Sequence, residues 1–195
     1  MSDSTSDDYA GRLKGHQVWW KRMLDVQAPY RWNLRRLRPG FLLDVGCGLG
    51  RNLAHVGGRG VGVDPNRACL AEARANGLTV YAPEDFPAAP EARAAAFDTL
   101  LVSHVIEHMA FDAARDLVAS YLPYVKPGGQ VILITPQEWG YASDPTHVHF
   151  MDMAELRRLA GELGLSVTRA YSFPFPRWAG RLFKYNEFVL TARRG

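Results

Sequence analysis

The chain has 195 residues, of which 47% are hydrophobic, 22% charged and 11% aromatic. This length suits one compact domain, and the apolar share excludes a disordered chain. The net charge is +3, and two cysteines cannot form a disulfide framework or a zinc site on their own. Since the sequence has no apolar run of the roughly 20 residues that span a bilayer and no signal-peptide pattern at its start, we predict a cytoplasmic protein.

The predicted domain organisation has three parts. Residues 1–8 are polar and acidic, and we predict a disordered tail there. Apolar residues at helical spacing, interrupted at Pro29, predict an N-terminal helical cap over residues 9–40. Apolar runs then alternate with helical segments over 41–195, which predicts a core that forms a single domain, 9–195, together with the cap.

Seven short apolar runs in the core are typical of strands. They lie at Phe41–Val45, Val61–Val63, Leu78–Tyr81, Phe97–Val102, Gln130–Thr135, Leu165–Ser172 and Glu187–Ala192. Strands that alternate with helices predict an α/β fold with right-handed parallel crossovers. The last two runs are separated by only about a dozen residues, a connection that favours antiparallel pairing.

Turn and helix-start residues mark the boundaries between these runs. Pro65 and Asn66 predict the start of a helix, and Asp152 with Glu155 has the spacing of a capping box ahead of another. The sequence Pro127-Gly128-Gly129, residues 127–129, predicts a turn before the fifth strand.

A glycine-rich loop follows the first predicted strand. The spacing of Gly46, Gly48 and Gly50 lets a backbone pass close to a ligand, but Arg51 stands where the dinucleotide fingerprint has its third glycine. Asp44 precedes the loop, and a carboxylate suits an amine or a cationic ligand better than a pyrophosphate. The loop therefore favours a nucleoside without phosphate over a nicotinamide dinucleotide.

Two further acidic residues follow strands of the same predicted sheet. Asp64 ends the second strand, where a carboxylate can accept both ribose hydroxyls, although it can also cap the helix that begins at Pro65. Asp85 follows the third strand and can accept an adenine amino proton, with Phe86 packing nearby. The alternative for Asp85 and Phe86 is a simple turn.

Four motifs in register carry a family resemblance. They are Leu43-Asp44-Val45-Gly46-Cys47-Gly48-x-Gly50, Gly62-Val63-Asp64, Phe97-Asp98 leading into Val105-Ile106-Glu107-His108, and Val125-Lys126-Pro127-Gly128-Gly129. Together they resemble class I S-adenosylmethionine-dependent methyltransferases, with a methyltransferase type 11/23-like domain. The resemblance implies a Rossmann-like, doubly wound, seven-stranded and mostly parallel sheet whose last strand is antiparallel.

The resemblance also implies a cofactor, S-adenosyl-L-methionine, with S-adenosyl-L-homocysteine as its product, and a set of residues that bind it. The implied cofactor-binding residues are Asp44, Gly46, Cys47, Gly48, Gly50, Asp64, Pro65, Asp85, Phe86, Ser103 and His104. The glycines would lie against the methionine part, Asp64 would hold the ribose, and Asp85 and Phe86 would flank the adenine. Cys47 is more plausible as a small packing residue than as a nucleophile.

Histidines are the candidate catalytic residues, because an ordinary imidazole titrates near neutral pH. His147 and His149 are our first choices for a base that deprotonates the methyl acceptor, and His108 is the third. The alternative is that these histidines only shape the pocket.

A bound divalent metal is a further alternative, held by Glu107, His108, His104 and one of the later histidines. The stretch from Val105 to Met109 resembles that of metal-dependent RNA 3′-terminal methyltransferases and of ubiquinone-pathway O-methyltransferases. Those families have a glutamate at the position of His104, and we predict no metal.

The acceptor is predicted to be a small molecule that offers an oxygen or a nitrogen. RNA is the alternative acceptor, because basic residues cluster between Arg31 and Arg38, and a non-catalytic cofactor-binding module is a third possibility. Two aromatic-rich segments, 140–150 and 173–185, are the candidate lid or pocket walls, and Arg177 or Arg181 can meet an anionic group.

Overall fold

The computed structural model describes residues 25–195. The predicted tail and most of the predicted helical cap lie outside the described residues. The first described helix, α1 (Ala28–Arg36), has Pro29 in its first turn. Proline is tolerated there because the first N–H groups of a helix have no partner inside the helix. Pro29 therefore marks the start of this helix.

Seven strands form a single mixed sheet, as predicted. They are β1 (Leu42–Val45), β2 (Gly60–Val63), β3 (Val80–Tyr81), β4 (Phe97–Ser103), β5 (Val125–Pro136), β6 (Ser166–Phe173) and β7 (Glu187–Arg193). Their order across the sheet is β3-β2-β1-β4-β5-β7-β6. The first five strands pair in parallel, and β7 pairs antiparallel with both β5 and β6. The predicted antiparallel end of the sheet is confirmed.

Five further helices accompany the sheet in residues 25–195. They are α2 (Arg51–His55), α3 (Arg67–Ala75), α4 (Phe111–Tyr121), α5 (Glu138–Ala142) and α6 (Met153–Glu162). Two of them, α3 and α6, begin where the sequence predicts. The Asn66 side chain accepts N–H groups of the first turn of α3, and the Asp152 side chain does the same for α6. These caps satisfy backbone donors that a helix leaves free at its start. In residues 25–195 no helix has both the length and the apolar character needed to cross a membrane.

The fifth strand differs from its prediction. The turn predicted at residues 127–129 lies inside β5, which begins at Val125 and pairs there with Phe97. The register with β4 shifts between Phe97 and Thr99, and Gly128 has a φ of +70°. The glycine therefore allows an irregular extension of the strand, where local sequence alone indicated a turn.

The central strands are buried on both faces, which explains their nearly continuous apolar sequences. All four residues of β1 and all four of β2 are buried. One core cluster includes Leu43, Leu100 and Phe188, and a second on the other face includes Leu42 and Leu101. Since helices cover both faces, the exposed rim of the sheet is where a ligand can bind.

The carboxyl ends of the parallel strands finish level with one another. Val45 at the end of β1 pairs with Val63 of β2 and with Val102 of β4. The segments that follow these strands therefore meet at one edge of the sheet. The connection from β6 to β7 leaves the same edge, because Pro136 at the end of β5 pairs with Glu187 at the start of β7.

Candidate active site at the carboxyl edge of the sheet

The glycine loop after β1 is held against the end of β2 by backbone hydrogen bonds. The N–H groups of Gly46 and Cys47 donate to the carbonyl oxygen of Val63 at 2.8 and 3.1 Å. Gly46, Gly48 and Gly50 all have positive φ angles, +77°, +51° and +76°. The left-handed conformation is inexpensive only for glycine, which explains why the three residues recur at this spacing.

The three glycines have different surroundings. A Cβ added at Gly46 would overlap Val105, and one added at Gly50 would overlap Leu78, so these two allow close packing. A Cβ added at Gly48 would have no atom of the described chain within 4 Å. Gly48 therefore borders open space at the edge of the sheet, where a ligand can lie against its backbone.

Cys47 points in the opposite direction, into the core. Its side chain is buried, and a Cβ added at Gly62 would be 2.6 Å from its sulfur. Burial raises the pKa of the Cys47 thiol, so the group stays protonated and unreactive. Its packing agrees with the interpretation of Cys47 as a small packing residue.

Asp64 joins the glycine loop to the start of α3. The N–H of Gly48 donates to its Oδ2 at 2.7 Å, and the N–H of Asn66 donates to its Oδ1 at 2.8 Å. Each carboxylate oxygen keeps further acceptor capacity. Burial raises the pKa of Asp64, against the two backbone hydrogen bonds, which lower it. The helix cap itself is Asn66, so the alternative of Asp64 as the cap is wrong.

Asp44 is a buried carboxylate with an incomplete set of partners. Its Oδ1 is 3.5 Å from the amide nitrogen of Asn52, and its Oδ2 has no hydrogen-bond partner among residues 25–195. Burial raises the pKa of Asp44 to about 7, and the nearby Asp64 adds to this effect while Asn52 opposes it. A buried carboxylate with an unused oxygen is suited to an additional donor, such as an ammonium group.

Of the two residues predicted to contact adenine, Asp85 is exposed and Phe86 is buried. Asp85 is more than half exposed and lies 3.7 Å from Arg67. Phe86 is buried in the core, with its ring centroid 5.0 Å from that of Tyr124. Phe86 therefore supports the loop from behind, and its ring offers no open face to a ligand. Pro65 is exposed beside Asp64, as the predicted cofactor edge requires.

His104 follows Ser103 at the end of β4 and adopts a φ of +57°, a conformation that is uncommon for a residue with a Cβ. Its Nε2 is 2.8 Å from Oε1 of Glu187, and its Nδ1 is 3.4 Å from Oε1 of Glu107. Partial desolvation favours the neutral ring, but the carboxylates of Glu107 and Glu187 outweigh this and raise the pKa of His104 to about 10. The ring is therefore a cation at neutral pH and cannot act as a base.

Glu107, His108 and His147 form a cluster beside this ion pair. One side-chain ligand atom from each lies within 4.8 Å of the others. Glu107 is fully buried, and neither of its carboxylate oxygens has a hydrogen-bond partner in the described part of the chain. The rings of His108 and His147 lie 4.7 Å apart between centroids. One carboxylate and two imidazoles can also hold a divalent metal ion, the chemistry that we predicted to be absent.

His147 and His149 face different surroundings, although only Val148 separates them. Nδ1 of His147 is 2.7 Å from the carbonyl oxygen of Tyr141, which can only accept, so Nδ1 carries the hydrogen. This leaves the Nε2 lone pair of the neutral ring for a ligand. His149 instead places its Nε2 3.1 Å from Glu155 of α6. Of this predicted pair, only His147 joins the cluster.

Two contacts in the site were not anticipated from the sequence. Glu187 lies 83 residues after His104, and no local motif marks it as a partner. Tyr141 orients His147 through its backbone carbonyl and also stacks on its ring at 5.1 Å. The sequence offers no indication of a contact that depends on a carbonyl oxygen, since any residue type can supply one.

The comparison with protein families agrees with this architecture. The profile of the methyltransferase domain family matches residues 22–170. The chain belongs to the methyltransferase domain family. The predicted class, the class I S-adenosylmethionine-dependent methyltransferases, is thereby confirmed, and the protein is an enzyme whose methyl donor is S-adenosylmethionine. Among curated proteins, none matches this sequence.

Solved structures share the fold of this methyltransferase at low sequence identity. A magnesium protoporphyrin IX methyltransferase from Synechocystis PCC 6803, with bound S-adenosylhomocysteine, is 17% identical, with a TM-score of 0.67 over 98% of this chain and 95% of that one. The 1,6-didemethyltoxoflavin-N1-methyltransferase from Burkholderia thailandensis is 20% identical, with a TM-score of 0.64 over 97% and 86%. A SAM-dependent methyltransferase from Archaeoglobus fulgidus is 17% identical, with a TM-score of 0.64 over 90% and 98%.

Proposed function

We propose that this methyltransferase transfers a methyl group to an oxygen or nitrogen of a small-molecule acceptor at the carboxyl edge of the sheet. The observation that carries the proposal is the convergence of the open glycine loop, Asp64 and the His108–His147 pair at that edge. The two similar enzymes named for protoporphyrin and didemethyltoxoflavin act on small molecules, which supports the same class of acceptor here.

The residues at the edge fit the parts of S-adenosylmethionine. The remaining acceptor capacity of Asp64 suits the ribose hydroxyls, and the unused Oδ2 of Asp44 suits the ammonium of the methionine part. The open space beside Gly48 accommodates a ligand backbone without a side-chain clash. Asp85 remains the candidate acceptor for the adenine amino group, with Ser103 and Pro65 beside the same edge.

In this proposal His147 deprotonates the acceptor. Bound S-adenosylmethionine supplies an electrophilic methyl group, so the protein needs to align the acceptor, exclude water and remove a proton. The hydrogen bond from Nδ1 to Tyr141 fixes the ring and leaves Nε2 to take that proton. The neighbouring Glu107 carboxylate would then stabilise the imidazolium that forms.

The other two predicted histidines receive different roles. His149 is engaged by Glu155 on α6, so we assign it to the support of the loop. His108 has its Nδ1 3.1 Å from the hydroxyl of Thr146, and its exposed ring lines the approach to His147. These assignments follow from the partners of each ring.

The second candidate function is metal-assisted methylation of RNA. The Glu107, His108 and His147 ligand set favours the metal, and a depression of about 510 Å³ lined by basic residues of α1 and Trp32 favours an anionic polymer. The salt bridge between Glu107 and His104 counts against the metal, because it already gives the buried carboxylate a cationic partner.

Three measurements test the proposal. Calorimetry with S-adenosylhomocysteine checks the cofactor site, and a lack of binding would remove every version of the function. Release of S-adenosylhomocysteine from S-adenosylmethionine, measured across a panel of phenols, hydroxylated heteroaromatics and amines, checks the acceptor class. Turnover with RNA alone, lost on chelation and weakened steeply by salt, would instead support the second candidate. Cofactor binding without turnover on any acceptor would indicate a non-catalytic module.

A further inference from the structure

The connection between β6 and β7, residues 174–186, exposes large apolar side chains. Trp178 and Leu182 are 67% and 68% exposed, and Phe175 is also exposed. Apolar side chains that gather on a protein surface indicate that something covers them during function.

The exposed side chains of residues 174–186 are carried on a packed connection. The short helical turn Arg177–Arg181 packs at the start of α5, where Gly180 fits against the side chain of the capping residue Gln137. The rings of Phe175 and Phe183 meet edge to face at 5.1 Å between centroids. Gly140 of α5 lies against the backbone of Lys184. The exposed apolar groups are therefore held on a fixed support.

The same connection carries only positive charge. Residues 174–186 contain three basic side chains and no acidic one. Arg177 forms an ion pair with Glu138, so its charge is balanced within the protein. Arg181 and Lys184 are exposed beside Leu182. The surface thus alternates aromatic or aliphatic groups with exposed cations.

We propose that this connection is a membrane-binding surface that docks on an anionic lipid bilayer. Aromatic and leucine side chains that enter the interface, flanked by Lys and Arg that meet anionic headgroups, are the general means by which a protein lies on a bilayer. Leu182 favours a bilayer over RNA as the partner, because an aliphatic side chain offers no face on which bases stack.

The position of this surface has a consequence for the substrate. Residues 174–186 leave the same edge of the sheet as His104 and His147. Docking would therefore turn the active-site edge toward the bilayer, so that the enzyme meets amphipathic acceptors there. This consequence rests on the proposed function, whereas the membrane binding itself does not.

Co-sedimentation with vesicles tests the proposal. The full chain is expected to bind vesicles of equal parts phosphatidylcholine and phosphatidylglycerol, and to bind pure phosphatidylcholine much more weakly. Trp178→Ala and the double variant Arg181→Ser/Leu182→Ala should each weaken binding to the anionic vesicles by about tenfold or more. The matched control is Val167→Ala/Arg169→Ser, which removes an exposed aliphatic and an exposed arginine at the opposite end of β6 and should leave binding unchanged.

The outcomes separate this surface from the catalytic proposal. All variants should bind S-adenosylhomocysteine like the parent chain, which shows that they are folded. Equal vesicle binding by the parent, the test variants and the control would overturn the membrane surface. So would the absence of vesicle binding by the parent chain, and binding of single-stranded RNA that Trp178→Ala abolishes would then identify RNA as the partner. Failure to bind S-adenosylhomocysteine in the parent chain would overturn the proposed function and leave the membrane surface to be judged by vesicle binding.

Discussion

The N–H of Gly48 donates to the carboxylate of Asp64 at 2.7 Å, which ties the glycine loop after β1 to the end of β2. One side chain thus fixes the loop and also lies where a ribose is expected. The two roles involve different lone pairs of the same carboxylate. The position of the glycine loop at the proposed cofactor site therefore depends on the hydrogen bond between Gly48 and Asp64.

Gly48→Ala is expected to weaken S-adenosylhomocysteine binding by about tenfold or more, because the added methyl enters the open space proposed for the ligand. The positive φ angle should also reduce the free energy of unfolding by about 1–2 kcal/mol. Gly77→Ala is the matched control, with a φ of +77° and no atom of the described chain within 4 Å of the added Cβ. It should show the same loss of stability with unchanged affinity in calorimetry.

Asp64→Asn should lower the affinity for S-adenosylhomocysteine by about tenfold to a hundredfold, because a hydrogen bond to a charged acceptor is replaced by one to a neutral amide. The comparison variant is Asp152→Asn, since Asp152 also accepts two backbone N–H groups at a helix start. Isothermal calorimetry measures the affinity of both variants for S-adenosylhomocysteine. Equal affinities for the two would show that Asp64 has only a structural role.

Asp44→Asn should raise the thermal midpoint above neutral pH by a few degrees while weakening cofactor binding. Burial raises the pKa of Asp44 in the folded protein from an ordinary 3.8 to about 7. Ionising this group therefore costs folding free energy that grows as the pH rises from 3.8 to about 7 and is constant above. Melting curves at pH 5 and pH 8 should show a larger gain for the variant at pH 8, and an equal gain would contradict the assignment.

His147→Gln should reduce kcat by about a hundredfold or more if His147 is the base, while the affinity for S-adenosylhomocysteine stays unchanged. His149→Gln is the neighbouring control, because His149 is engaged by Glu155 and lies outside the cluster. Both are measured by release of S-adenosylhomocysteine with whichever acceptor the panel identifies. If chelation abolishes turnover, the cluster binds a metal and the base assignment is wrong.

His104→Asn should lose stability relative to the parent chain mainly at low pH. Asparagine tolerates the positive φ, so the comparison isolates the ring. The partner carboxylates raise the pKa of His104 from an ordinary 6.5 to about 10. The stabilisation is therefore complete below about pH 6.5 and is lost as the pH rises through 10. The melting temperatures of the variant and the parent chain should converge as the pH rises from 6 to 10.5. A difference that persists at pH 10.5 would refute the ion pair.

Local rules were sufficient for much of the fold. The helix starts at Asn66 and Asp152 followed from capping chemistry. A side-chain oxygen can accept the free N–H two or three residues later in any fold, so this contact is visible in the local sequence. The antiparallel pairing of β6 with β7 followed from the short connection. The turn expected at residues 127–129 failed because pairing with β4 extended the strand through it.

The sequence by itself was sufficient to predict the glycine loop and the acidic residue after β2. Both depend on the residue types required where a strand ends beside a ligand. Only the tertiary structure decided that Glu187 pairs with His104 and favours its protonated form. It also decided that His147, and not His149, joins the cluster, and that Phe86 lies in the core. These relationships join residues far apart in the chain, or neighbours that point to opposite sides. Packing, and not local propensity, selects them, since burial and charge pairing depend on every element that surrounds a side chain.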